Sequence, residues 1–190
     1  MKKLIIILLL LITTLAWSHD FRNTDWGMSV NQVKKSETFK KTHETKKGNF
    51  SIIIYKGEMA LRDVAVIYGF VDDKLTKVKC IFDLNHAVYN DFFSDYKSIQ
   101  EILVSKYGKN YEVYHSWKDD LYQNSEKDWG MAIAMDHLFL ENIWMTKKTK
   151  IRLAMQGTID HQIKLYVEYF SLKYLPTWNQ GLKKENEKGF

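Results

Sequence analysis

Apolar residues recur at the three- and four-residue spacing of a helix in two stretches of the chain. The longer stretch covers about residues 87–107, and Gly108 follows it as a residue suited to a C-terminal cap. Its apolar stripe consists of Tyr89, Phe92, Phe93, Tyr96, Ile99, Leu103 and Tyr107. The shorter stretch begins after Ser29, which forms a capping box with Gln32, and extends to about Glu37. The pattern therefore predicts one long helix and one short helix.

Alternating or continuous apolar runs predict strands in the rest of the chain. A tight turn at residues 72–74 joins two of these runs into an antiparallel hairpin. Residues 38–48 are rich in lysine and are predicted to form a loop, as are the charged residues 118–128. The predicted strands are 50–55, 63–71 and 75–82 before the long helix, and 111–117, 138–145, 149–155 and 162–172 after it, with the short apolar run 131–135 as a fifth.

The order of elements predicts an α+β fold in which helices pack on an antiparallel sheet. The order is helix, three strands, helix, then four to five strands. It fits a single domain over residues 19–176, or two helix-plus-sheet units in tandem that break near residue 85. Residues 177–190 are predicted to be a polar C-terminal tail. The tetrapeptide at residues 25–28 recurs at 128–131, but we interpret this match as coincidence, because the first copy precedes a helix and the second a strand.

The first 18 residues have the pattern of a secretory signal peptide. A basic start with Lys2 and Lys3 leads into an apolar run that ends near Ala16, and cleavage after Ala16 or after Ser18 fits the pattern. The run is shorter than the roughly 20 residues of a membrane span, although an uncleaved anchor is the alternative. We therefore expect a periplasmic or secreted protein. Stable membrane insertion is not predicted.

Composition narrows the function classes further. The chain has 190 residues and a formal net charge of +5, and removal of the signal peptide would take away two of its lysines. The remaining excess is too small to predict nucleic-acid binding. Cys80 is the single cysteine, so the chain can form no internal disulfide, and its alternating context predicts a buried, unreactive side chain.

No motif of established catalytic chemistry is present, and no cofactor or metal site is predicted. The densest polar cluster lies between residues 115 and 128, where His115, Asp119 and Asp120 stand near Trp117 and Trp129. A histidine beside carboxylates can act as a general acid or base or bind a cation. A metal-dependent or acid–base hydrolase that uses this loop is therefore the alternative function.

Aromatic residues favour a different function. Trp117, Trp129, Trp144 and Trp178 exceed what a small core needs, and tryptophan is enriched at protein contacts. We therefore predict a non-enzymatic protein that binds a protein or an envelope component through a sheet face or an aromatic loop. The lysines at 147, 148 and 150 leave membrane-surface binding as a further option. The sequence leaves the oligomeric state open.

Two short motifs carry a resemblance to known proteins. The turn Trp26-Gly27-Met28-Ser29 before a capped helix, and the ending Lys106-Tyr107-Gly108 of a second helix, resemble a group of small exported bacterial proteins. The order of elements is also similar to the β-lactamase inhibitor protein and to the small lipoprotein of the outer-membrane barrel-assembly machinery. The resemblance covers about residues 21–108 and implies a non-enzymatic binding protein. The chain lacks the anchoring cysteine of the lipoprotein and the paired cysteines of the inhibitor.

Overall fold

The computed structural model describes residues 19–180, which form an eight-stranded antiparallel sheet with helices packed on it. The predicted α+β class with an antiparallel sheet is confirmed. The predicted signal peptide and residues 181–190 of the predicted tail lie outside the described residues. The elements are α1 (Val30–Ser36), β1 (Lys40–Lys47), β2 (Phe50–Met59), β3 (Arg62–Val71), β4 (Lys74–Phe82), α2 (Tyr89–Tyr107), β5 (Glu112–Trp117), α3 (Trp129–Ala134), β6 (Leu138–Met145), β7 (Thr149–Gly157) and β8 (Ile163–Ser171).

Two four-stranded meanders share this sheet. The spatial order is β1-β2-β3-β4-β8-β7-β6-β5, so α2 carries the chain from the centre of the sheet to its far edge. The second meander then returns to the centre, where β8 pairs antiparallel with β4 and Cys80 lies opposite Val167. The sheet is therefore continuous across residue 85, where two tandem units were the alternative to a single domain, and β1 and β5 form its two edges.

Helices cover one face of the sheet, which we call the inner face. α2 packs on β7 and β8, and α3 packs on β6 and β7. Phe21 and α1 cover the other half, where the ring of Phe21 contacts Tyr68 and Tyr169. Five residues of the stripe predicted for the long helix are buried in this layer, namely Phe92, Phe93, Tyr96, Ile99 and Leu103, whereas Tyr89 at its start is about 37% exposed. The inner-face core includes Ile53, Tyr55, Val66, Val78, Cys80, Leu140, Trp144, Ile151, Leu153, Leu165 and Val167.

The predicted interior position of Cys80 is confirmed. The side chain is a free thiol with about 1% of its surface exposed. Burial raises the pKa of the thiol to about 12, so the reactive thiolate is suppressed.

Among residues 19–180, no helix combines the length and apolar character needed to cross a bilayer.

Two of the predicted elements are wrong. Residues 40–47 form the edge strand β1 rather than a loop, because pairing with β2 supplies hydrogen bonds that a lysine-rich pattern does not announce. The apolar run at 131–135 belongs to α3 rather than to a strand. A short apolar run fits either element, and here it packs as a helix on β6 and β7, with Gly130 close to the backbone of Tyr89.

The start of the predicted tail is also folded. Residues 175–180 form a short helical segment, and the Trp178 ring packs over Gly69 and edge-on against Phe50.

The repeated tetrapeptide at residues 25–28 and 128–131 has two different backbone conformations. Gly27 has a positive φ of 87°, whereas Gly130 lies within α3, so the second copy enters a helix and not a strand as expected.

Candidate binding face

The face of the sheet opposite the helices is lined by the outward residues of β4, β8, β7 and β6, and we call it the open face. Its buried residues Ile143, Ala154 and Tyr166 do not belong to the core under the helices. Within residues 19–180, only the short segment that carries Trp178 packs on this side of the sheet, at one end. The remaining open-face side chains are Lys77, Lys79, Ile81, Phe139, Glu141, Met145, Lys150, Arg152, Gln156, Lys164, Glu168 and Phe170.

Glu168 lies at the centre of the open face and is about 3% exposed. Three cations surround it. Lys77 Nζ lies 2.8 Å from Oε1, Lys79 Nζ lies 3.5 Å from Oε1, and Arg152 donates to Oε2 at 2.9 Å. Burial by itself would raise the pKa of Glu168, but hydrogen bonding and charge from Lys77, with Lys79 and Arg152, outweigh it and lower the pKa. The carboxylate therefore stays ionised and holds the three cations in place.

Aromatic rings position the same cations from the side. Lys79 Nζ stands 3.7 Å from the centre of the Tyr166 ring, and Lys77 Nζ stands 4.6 Å from that of Phe170. Arg152 also donates to Glu141 on β6 and lies 5.7 Å from the Tyr166 ring. Cation–π contacts of this kind contribute about 0.5–1 kcal/mol each at exposed sites. They hold long, flexible side chains in defined positions.

Positive charge dominates the open face. On β4, β8, β7 and β6, the outward cations Lys77, Lys79, Lys150, Arg152 and Lys164 outnumber the carboxylates Glu141 and Glu168. A hollow of about 490 Å³ continues this surface beside β3, and its lining includes Lys56 and Lys164 together with the carboxylates Asp63 and Asp83, so the excess of positive charge belongs to the sheet face and not to the hollow. The face therefore combines a positive field with apolar ring surface, as contact surfaces for acidic macromolecules do.

The structure brings three of the predicted site residues together on the inner side of the sheet, at its β5 edge. The Trp129 ring meets His115 edge-on at 5.1 Å and Trp117 edge-on at 5.7 Å. Trp144 does not join them. It is about 1% exposed, stacks on Tyr111 and donates its indole N–H to the Gly108 carbonyl, so it packs in the core and not on a surface.

The predicted carboxylates lie apart from His115. Asp119 accepts from the Leu121 amide, and its Oδ1 lies 3.9 Å from Nδ1 of His137 instead. Asp120 closes a turn through its carbonyl oxygen. Between residues 19 and 180, no ion pair joins His115 to either aspartate, and no group of three histidine, cysteine or acidic side chains could hold a metal ion.

A further polar cluster ties the β2–β3 hairpin to α2. Asp95 on α2 accepts from Arg62 at 2.7 Å, and its other oxygen lies 2.6 Å from Nε2 of His86. Arg62 also donates to the Ala60 carbonyl in the hairpin turn. The charges in this cluster satisfy one another, so we assign it a structural role.

The central residues of the open face were not predicted from the sequence. The signal was present in the alternation of β8, where Lys164, Tyr166, Glu168 and Phe170 share one side. The alternation by itself does not show the cluster, because Arg152 and Lys79 flank Glu168 only after β7 and β4 have paired with β8.

Comparisons of the chain with family models, with curated proteins and with solved structures found no match.

Proposed function

We infer that this protein is an exported, non-enzymatic binding protein that holds an acidic protein surface against the open face of its sheet. The observation that carries the proposal is a large sheet face that residues 19–180 cover only at one end, with the segment that carries Trp178, and whose central side chains are cations braced by aromatic rings. A solvated sheet face normally carries scattered polar residues. Export rests on the pattern of the first 18 residues.

The composition of the face supports protein contact. Tryptophan and arginine are among the residue types that dominate binding energy at protein interfaces, and Trp178 and Arg152 both lie on this side. Their positions are set before a partner arrives, because Glu168 and Glu141 restrain Arg152 from two sides. Restrained side chains lose less conformational entropy on binding.

The test is site-specific photo-crosslinking of the exported protein in an envelope extract. A photoreactive residue at Phe170, on the open face, should capture a partner, whereas the same residue at Ile102, an exposed position on α2, should not. Addition of Lys164→Glu and Lys150→Glu should abolish the Phe170 product, and increasing salt should weaken it. Equal capture from both positions, or no capture at any salt, would refute the proposal.

Export has a separate readout. Mass determination of the protein recovered outside the cytoplasm should show a chain that begins at Trp17 or at His19. Recovery of the intact chain from the cytoplasm would refute export. The binding role of the open face would still be decided by the crosslinking experiment.

A further inference from the structure

The two edges of the sheet carry opposite sequence patterns. β1 has lysine at four of its eight positions, and every one of its residues is exposed. Charged edge strands of this kind resist pairing with other chains. β5 has the sequence Glu-Val-Tyr-His-Ser-Trp and carries a single acidic residue at its start. Its Val113 is about 52% exposed and its Tyr114 about 46% exposed. Only the β1 edge is therefore protected.

Hydrogen bonding to β6 determines which backbone groups of β5 face outward. The Lys118 amide donates to the carbonyl of His137, directly across the β5–β6 pair, at 2.8 Å. Since donors alternate along a strand, the even-numbered residues of β5 bond to β6. The amides and carbonyls of Val113, His115 and Trp117 point away from the sheet. No other strand formed by residues 19–180 lies on that side.

We propose that β5 pairs antiparallel with β5 of a second copy of this chain, about a twofold axis at His115, to form one continuous sheet across a dimer. This register places Val113 opposite Trp117 of the second copy and uses all the outward backbone groups of the three odd-numbered residues. It pairs residues 113–117 of the two copies directly and brings Lys118, just beyond β5, opposite Glu112. The proposal is independent of the function proposed for the open face.

Charge complementarity indicates that the strand which pairs with the free edge of β5 comes from a second copy of this chain. The twofold register brings Glu112 opposite Lys118 of the second copy, on the same face of the sheet, and it does so twice. Both side chains are exposed, and each would exchange a surface partner of its own chain, Asp136 for Lys118 and the Tyr114 hydroxyl for Glu112, for the new pairing. Antiparallel self-pairing of β1 would instead bring Lys40 and Lys41 beside Lys46 and Lys47. Opposite charges across a strand pair stabilise it and like charges destabilise it.

Disulfide trapping tests the register. Tyr114 and Ser116 would lie opposite each other in a non-hydrogen-bonded pair, where Cα atoms are about 4.5 Å apart and within the range of a disulfide. The double variant Tyr114→Cys/Ser116→Cys should therefore form a covalent dimer under mild oxidation, whereas each single variant should form at least tenfold less. The native Cys80 is buried and does not compete. A matched pair on the other edge, His43→Cys/Thr45→Cys, has the same two-residue spacing on one face of β1 and should not crosslink.

Mass in solution tests the pairing itself. Sedimentation of the full exported chain should give twice the mass of one chain. Val113→Pro should shift it to the mass of a single chain, because proline removes an outward amide and leaves the β6 ladder intact. An unchanged circular dichroism spectrum would show that the variant is folded, and Tyr114→Lys/Ser116→Lys provides a second disruption without proline. A wild-type monomer at all concentrations, open-ended polymers, or self-crosslinking of Tyr114→Cys alone would overturn the proposal.

Discussion

The two faces of the sheet differ in what their side chains do, although they are made by the same strands. Leu153 and Arg152 are neighbours on β7, yet Leu153 is buried under the helices and Arg152 joins Glu141 to Glu168 on the open face. The inner face excludes water and stabilises the fold. The open face holds charges at fixed positions, which adds little net stability but creates a positive surface. Stability and binding should therefore respond to substitutions on opposite faces.

The largest loss of stability is expected from the inner face. Leu153→Ala removes a fully buried side chain at the centre of the sheet, and we expect it to cost about 3–5 kcal/mol in the free energy of unfolding. Chemical denaturation of the variant measures this loss. A loss below that of the open-face variants would contradict the assignment of the two faces.

A second inner-face variant tests how closely α3 packs. In Gly130→Ala the new Cβ would lie 2.3 Å from the Tyr89 carbonyl oxygen, so α3 must move away from α2. We expect a cost of about 1–3 kcal/mol, as for other overpacked sites. Ala132→Gly, in the same helix, removes a methyl group and provides a control without a clash. An unfolding free energy for Gly130→Ala equal to that of the wild type would contradict this close approach.

Glu168→Gln should have a smaller effect that depends on pH. The substitution leaves Lys77, Lys79 and Arg152 without their shared carboxylate, and we expect a cost of about 1–3 kcal/mol at pH 7.

The sign of the pH dependence follows from the lowered pKa of Glu168. The stabilisation by the ionised group is complete above the pKa of glutamate in the unfolded chain and is lost as the pH falls through the lower folded pKa. The difference between wild type and variant should therefore shrink in acid, below the ordinary range of a glutamate. A difference that stays constant from pH 7 to pH 3 would contradict this account.

The smallest change in stability is expected for an exposed open-face cation. Lys164→Glu should alter the free energy of unfolding by about 0.5 kcal/mol or less. If the open face binds an acidic partner as proposed, the same variant should slow association and reduce its dependence on salt. Surface plasmon resonance with the captured partner measures both. Unchanged kinetics would place the contact elsewhere.

Local patterns predicted part of this fold correctly. The stripe on α2 and the capping box of Ser29 and Gln32 are both present in the structure. The predictions failed where one stretch of sequence was compatible with more than one environment. The lysines of β1 suit a loop as well as an edge strand, and the indole of Trp144 suits a contact surface as well as a core.

The candidate site depended more strongly on tertiary structure than the helices did. The sequence determined that Lys164, Tyr166, Glu168 and Phe170 alternate along one strand, because the side-chain period of a strand is two. Only the folded sheet decided their neighbours. The central pair of β4 and β8 joins Cys80 to Val167, and no local preference specifies a register between segments so far apart in the chain. The choice of register depends on burying the apolar face of every strand under the helices at once, and that is a property of the whole core.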